Sequence, residues 1–207
     1  MMNIAVLVSG GGTNLQALID AQNRGEIKNG RITLVISSKP DAYALERAKK
    51  NNIAAKVIAR REYDDIHKYT AAVRDALLDA KADLVVYAGF MTILDSQIVE
   101  AFPYKMMNVH PALIPSFCGK GFYGLHVHDA VLASGVKLTG ATVHFVTEDC
   151  DAGPIILQKA ISVNNNDTSE ILQKRVMEQC EWKILPEAVS LFCEGRIKIN
   201  GNKTEII

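Results

Sequence analysis

The chain has 207 residues and equal numbers of acidic and basic side chains, 23 of each, so its formal net charge at pH 7 is zero. That balance argues against a nucleic-acid or membrane partner held by bulk charge, and no apolar run approaches the length of a bilayer span. Cys118, Cys150, Cys180 and Cys193 show no C-x-x-C spacing and no clustered histidine, which disfavours a metal site or a disulfide framework and fits free thiols in the cytoplasm.

Asn3 to Val8 is almost wholly apolar, the pattern of a strand buried on both faces. Ser9-Gly10-Gly11-Gly12-Thr13-Asn14 follows, and Leu15 opens a helix. A strand, a glycine turn and a helix start place converging backbone N–H groups where a helix dipole favours an anion. The run lacks the Gly-Lys-Ser/Thr of a triphosphate loop, and Leu15 stands where the dinucleotide fingerprint has its third glycine. A single phosphate is the favoured ligand. The alternative is a tight turn that binds nothing.

Arg31 to Ile36 reads as the second strand, Ala42 to Asn51 as a helix, and Ala54 to Ile58 as the third strand. Glu62 to Lys81 has the apolar spacing of a long amphipathic helix. Leu84 to Ala88 is a fourth strand, closed by Gly89. Strands alternating with helices predict an α/β fold, a doubly wound and mostly parallel sheet over a single domain of residues 1–207. Ligands of such sheets sit beyond the carboxyl ends of the strands. The apolar run Phe90-Met91-Thr92-Ile93-Leu94 lies at that edge, either as a core loop or as the wall of a pocket for a flat aromatic ligand.

Tyr104 to His110 reads as a strand that Pro111 ends. Side chains on a strand alternate, so Asn108 and His110 point the same way. An amide donor beside a titratable imidazole suits acyl-group chemistry, one group for an oxyanion and one for a proton. The polar turn Thr147 to Pro154 can return a carboxylate toward His110. His126 and His128 lack a third ligand for a metal, so hydrogen bonding and packing are expected of them. Leu138 to Val146 and Ile155 to Val163 read as paired antiparallel strands. Thr168 begins a helix reaching about Glu194, and a short strand ends the chain.

The segments Ser9–Asn14, Ala88-Gly-Phe-Met91, Asn108-Val-His-Pro111, Leu113-Ile-Pro115, Gly124-Leu-His126, Val143-His-Phe-Val146 and Asp151-Ala-Gly-Pro154 occur in the order and approximate spacing of the folate-dependent formyltransferases. The chain resembles that superfamily over almost its full length, and within it the branch acting on glycinamide ribonucleotide in purine biosynthesis. The resemblance implies a Rossmann-like fold whose first half, about 1–100, holds phosphate and whose second, about 101–207, holds the catalytic groups and folate. It implies 10-formyltetrahydrofolate as co-substrate, glycinamide ribonucleotide as acceptor, no metal, and a monomer or weak homodimer.

Residue by residue, the resemblance makes Asn108, His110 and Asp151 the catalytic set, with Asp151 raising the pKa of His110. Gly12, Thr13, Asn14 and Glu181 would meet the ribonucleotide, and Met91, Thr92, Ile93 and Leu94 would join Asn108 around the folate. Basic residues common in the family are replaced by Ile66 and Thr92, and Trp182 stands where a histidine is common. The loop Ser116 to Tyr123 is longer than in many members, and the last helix carries one extra residue before Glu181. Three alternatives share part of this pattern. A methionyl-tRNA formyltransferase would be expected to carry a further carboxyl-terminal domain and a basic surface, which the neutral charge disfavours. A formyltetrahydrofolate deformylase would have the same three residues, usually with an additional amino-terminal domain. A non-catalytic nucleotide-binding module would not need all three.

Overall fold

A computed structural model describes all of residues 1–207. Seven strands form one sheet: β1 Met2–Val8, β2 Gly30–Ser37, β3 Ala54–Val57, β4 Leu84–Tyr87, β5 Met106–His110, β6 Leu138–Phe145 and β7 Ile155–Ser162. Their order across the sheet is β3-β2-β1-β4-β5-β6-β7. The first five strands run parallel, and β6 and β7 are antiparallel additions. The helices are α1 Thr13–Asn23, α2 Tyr43–Lys50, α3 Ile66–Asp79, α4 Ser96–Ala101, α5 Leu125–Ser134, α6 Ser169–Val176 and α7 Trp182–Cys193.

The apolar run of β1 has the expected cause. Ile4, Val6 and Val8 enter a cluster of 30 buried residues that includes side chains of α1, α2, α5, α6 and α7. Ala5 and Leu7, on the opposite face, enter a cluster of 14 with α3 and α4. A central strand covered on both faces has no solvent side and so no polar alternation. Strand order reverses between β1 and β4. The loops that follow these two strands diverge there, which opens a crevice at the carboxyl edge of the sheet.

Several boundaries differ from the sequence expectation for local reasons. Helix α3 begins at Ile66, not Glu62, because the Asp65 carboxylate caps it by accepting the His67 N–H at 2.9 Å. Arg60–Glu62 form a separate 3-10 turn. Helix α4 escaped the sequence reading because its six residues are too few to show a period. Strand β5 starts at Met106, since Tyr104 has a positive φ of 53° that breaks the extended run. The tail is a hairpin of β8 Ile197–Asn200 and β9 Lys203–Ile206, in place of a single strand.

The last helix is not regular. Between α6 and α7, residues Met177–Glu181 form a π turn. A π turn inserts one residue without breaking the helix, and such turns concentrate at functional sites. It lies where the resemblance implies one extra residue before Glu181.

Strands β6 and β7 approach closely at Gly140. A Cβ there would fall 1.9 Å from the Lys159 carbonyl oxygen, a contact that only displacement of β7 relieves. Gly140→Ala should therefore destabilise the fold by about 3 kcal/mol, the upper end for a single substitution, read as a lower urea midpoint at unchanged slope.

Candidate active site

The glycine loop leaves β1 at the crevice. Gly12 is the N-cap of α1 in the left-handed region, with φ 70°, and a Cβ on it would meet the Ala44 Cβ at 2.6 Å. Glycine is required here both by the conformation and by the close approach of α2. No side chain caps α1, and the N–H groups of Gly12, Thr13 and Asn14 have no protein acceptor. These open donors at a helix start are the anion-receptive arrangement expected from the sequence.

Asn14 and Glu181 are 167 residues apart in sequence, yet the Asn14 Nδ2 donates to Glu181 Oε2 at 2.7 Å. That bond fixes which way the amide points. The other amide atom, Asn14 Oδ1, is buried without a partner. Glu181 is 6% exposed. Burial pushes its carboxyl up to about 7, against the opposing pull of the Asn14 hydrogen bond. The free protein therefore holds a carboxyl that changes charge near neutrality, beside an open acceptor.

The second group stands at the end of β5. Asn108 and His110 share a strand face, as period 2 requires, and β6 pairs against them with Asn108 opposite His144 and His110 opposite Thr142. The turn after β6 returns Asp151, held at φ 55°. One oxygen, Oδ1, lies 3.4 Å from both Asn108 Nδ2 and His144 Nε2. The other, Oδ2, accepts the Gly119 N–H at 2.9 Å and lies 3.6 Å from His110 Nδ1. Burial works to raise the Asp151 carboxyl. The His144 hydrogen bond, the His110 charge and the Gly119 N–H outweigh it and hold the group down at about 2.

His110 is nearly buried, and its Nε2 donates to the Phe117 carbonyl at 2.8 Å. That bond fixes the tautomer and leaves Nδ1 as the nitrogen that gains and loses a proton. Asp151 favours the imidazolium, as the resemblance implied, but burial outweighs it and His110 sits below the ordinary histidine value. The imidazole is neutral until charge develops beside it.

Both groups open on one cavity of about 610 Å³. Thr13, Asn14 and Glu181 line one part of its wall, and Asn108, His110 and Asp151 another. A polar anion cradle and an acyl-transfer set thus face a shared space.

Residues 2–189 match the family model described as formyl transferase. The chain belongs to the formyl transferase family. It is 42% identical over 94% of its length to a chloroplastic phosphoribosylglycinamide formyltransferase of Arabidopsis thaliana, of which it spans 66%. It is 39% identical over 98% of its length to the phosphoribosylglycinamide formyltransferase of Haemophilus influenzae, covering 92% of that protein. Among solved structures, a glycinamide ribonucleotide transformylase of Symbiobacterium toebii superposes with a TM-score of 0.94 at 42% identity, covering 100% of this chain and 94% of that one.

Within this formyl transferase fold the expected residues divide. Met91 and Ile93 line the cavity with large exposed side chains, as an apolar wall requires. Thr92 and Leu94 do not line it, and Leu94 packs against the smaller core cluster. Gly12 backs onto α2 instead of facing the cavity, so any contact with a ligand is through its backbone.

The histidines expected to hydrogen-bond differ. His126 is an exposed partner of Asp129 at 3.9 Å. His128 lines the cavity, is fully buried, and has no partner on either ring nitrogen. Burial pushes it down to about 4, so it is neutral. Sequence reasoning missed His144, the Gly119 N–H and the Phe117 carbonyl as partners of Asn108, His110 and Asp151. The Val143–Val146 motif contained His144, but only the strand register reveals its partner. No group of three or more His, Cys, Asp or Glu side chains is placed to hold a metal.

The folded Glu181 keeps a proton that the unfolded chain releases near its ordinary value of 4.5. The folded state then binds more protons between about 4.5 and 7, so stability from this group is present at low pH and is lost as pH rises through that window. Glu181→Gln should remove that fall from a pH series of urea midpoints. A series that still declines equally would assign the effect elsewhere.

Proposed function

We propose that the chain moves the formyl group of 10-formyltetrahydrofolate to the primary amine of glycinamide ribonucleotide. The observation that carries this reading is the facing of two sites across one cavity. Open N–H groups of the glycine loop suit the ribonucleotide phosphate, and Asn108, His110 and Asp151 suit acyl transfer. The apolar wall at Met91 and Ile93 suits a flat heteroaromatic donor.

In this reading the amine nitrogen attacks the formyl carbon, and the carbonyl electron pair moves onto oxygen. The Asn108 amide donates to that oxyanion. Its free-state contacts to Asp151 and His144, 3.4 and 3.3 Å, are long and easily exchanged for a charged acceptor. His110 Nδ1, unprotonated at rest, supplies the second donor once it has taken up the proton that the attacking amine gives up. Its distance of 3.6 Å from Asp151 is too long for a hydrogen bond, so the nitrogen remains available, while the carboxylate stabilises the imidazolium.

Collapse re-forms the carbonyl and breaks the bond to the folate nitrogen. That nitrogen takes one proton, and the amine gives one up, so the reaction is balanced without a metal or redox partner. Asn14 Oδ1, an acceptor with no protein partner, is suited to orient the incoming amine or a ribose hydroxyl. Lys120 is the one Lys or Arg on the cavity wall and is suited to an anionic ligand group.

The deciding experiment is an assay of tetrahydrofolate release with and without glycinamide ribonucleotide. Release only with the ribonucleotide is expected, whereas equal release without it would favour a deformylase. Asn108→Ala should lower kcat by about 100- to 1,000-fold, the usual cost of one oxyanion donor. In Asp151→Asn the imidazolium loses its counter-charge, so the His110 pKa falls and the limb it sets in the pH–rate profile moves to lower pH. An unmoved limb would show that Asp151 is not the charge partner.

A further inference from the structure

An anion cradle made of peptide N–H groups requires that the carbonyls of the same peptides turn away from the ligand. Each turned carbonyl needs a donor of its own. In the glycine loop three consecutive carbonyls are accounted for. Gly10 accepts the Ala44 N–H at 3.1 Å, and Gly12 accepts the Gln16 N–H at 2.9 Å. Gly11 accepts from a side chain, Arg47 Nε, at 2.8 Å.

Arg47 comes from α2 and is itself fixed at two further points. Its Nη1 donates to Gln16 Oε1 at 3.0 Å, and its guanidinium carbon lies 5.0 Å from the centre of the Tyr43 ring. The fork thus ties the loop, α1 and α2 together. No other hydrogen bond holds the peptide that follows Gly11. A Cβ built on Gly11 would meet no atom within 4 Å, so packing does not constrain that side of the peptide, whereas Gly12 on the other side abuts Ala44. A peptide between two glycines rotates at little cost. Without the guanidinium this one could turn its carbonyl toward the cavity and its N–H away. The dipole would then oppose an anion in place of attracting it.

We propose that Arg47 is a positioning residue that holds the Gly11 peptide in its anion-receptive orientation and adds positive charge behind the loop, and so sets affinity for the phosphate of the ribonucleotide. The inference rests on the reading of the glycine loop as a phosphate cradle. Arg47 does not line the cavity, so its effect passes through the loop. The chemistry demands arginine specifically. A lysine could reach the Gly11 carbonyl as a point charge, but it could not hold Gln16 at the same time or stack flat on Tyr43.

The test compares the wild type with Arg47→Met, Arg47→Lys and Gln16→Leu. Ribose 5-phosphate binding is measured by calorimetry, and KM and kcat are measured for both substrates. Arg47→Met should bind ribose 5-phosphate at least tenfold more weakly and raise KM for glycinamide ribonucleotide by a similar factor. The change should fall on that KM and not on kcat or on KM for the folate. Arg47→Lys should recover part of the loss. Gln16→Leu, which keeps the charge and frees the fork, should show a smaller loss of the same kind, and it serves as the test if Arg47→Met does not fold.

Unchanged ribose 5-phosphate affinity in these variants, with wild-type binding intact, would overturn the role of Arg47 alone. So would a loss spread equally over both substrates and kcat, which would mark general disruption. A wild type that ignores ribose 5-phosphate would overturn the phosphate reading and this inference with it.

Discussion

The end of the molecule that carries Asn108, His110 and Asp151 depends on one register, the antiparallel pairing of β6 against β5 that sets His144 opposite Asn108. The parallel strands bring Asn108 and His110 to the carboxyl edge of the sheet, but they supply no acid. Antiparallel pairing sets the far end of β6 beside the start of β5, with Phe145 opposite Met107, and the turn after it reaches back along β5. Asp151 then sits between two imidazoles, with one oxygen toward His144 and the other toward His110. A register slip of one residue would turn His144 to the opposite face and remove one of the three neighbours that hold Asp151 ionised.

The cost of this arrangement is burial. Asp151 and His110 are both nearly out of water, and desolvation opposes charge on each. The carboxylate overcomes it because several donors converge on it. The imidazole does not, and rests neutral with its tautomer fixed by the Phe117 carbonyl. A group that is neutral at rest and gains its proton as negative charge develops nearby distinguishes the transition state from the ground state, the difference on which catalysis rests. Glu181 shows the same physics at the other end of the cavity, where burial without a cationic partner moves a carboxyl close to neutrality.

Loops do much of the positioning, and they are held from behind. The Ser116–Tyr123 loop contributes a carbonyl at Phe117 to His110 and an N–H at Gly119 to Asp151, so it is tied directly to these two side chains. The glycine loop is held by α2 through Ala44 and Arg47. The π turn between α6 and α7 ends at Glu181, which meets Asn14. Each is a place where local irregularity serves a fixed distant partner.

The sequence by itself determined what depends on near neighbours: the order of strands and helices, the doubly wound class, the glycine loop at a helix start, and the shared face of Asn108 and His110. These follow from periods of 2 and 3.6 residues and from the backbone chemistry of glycine and proline. The motif order also placed the chain among formyltransferases. Only the tertiary structure decided the partners. Asn14 meets Glu181, Asn108 meets His144, and Arg47 meets Gly11 across separations of 167, 36 and 36 residues. It also decided that Thr92 and Leu94 turn from the cavity and that His128 faces it without a partner. Such contacts carry no local period. They are selected by how the sheet twists and how the helices pack on it, and the same burial sets the pKa of each group.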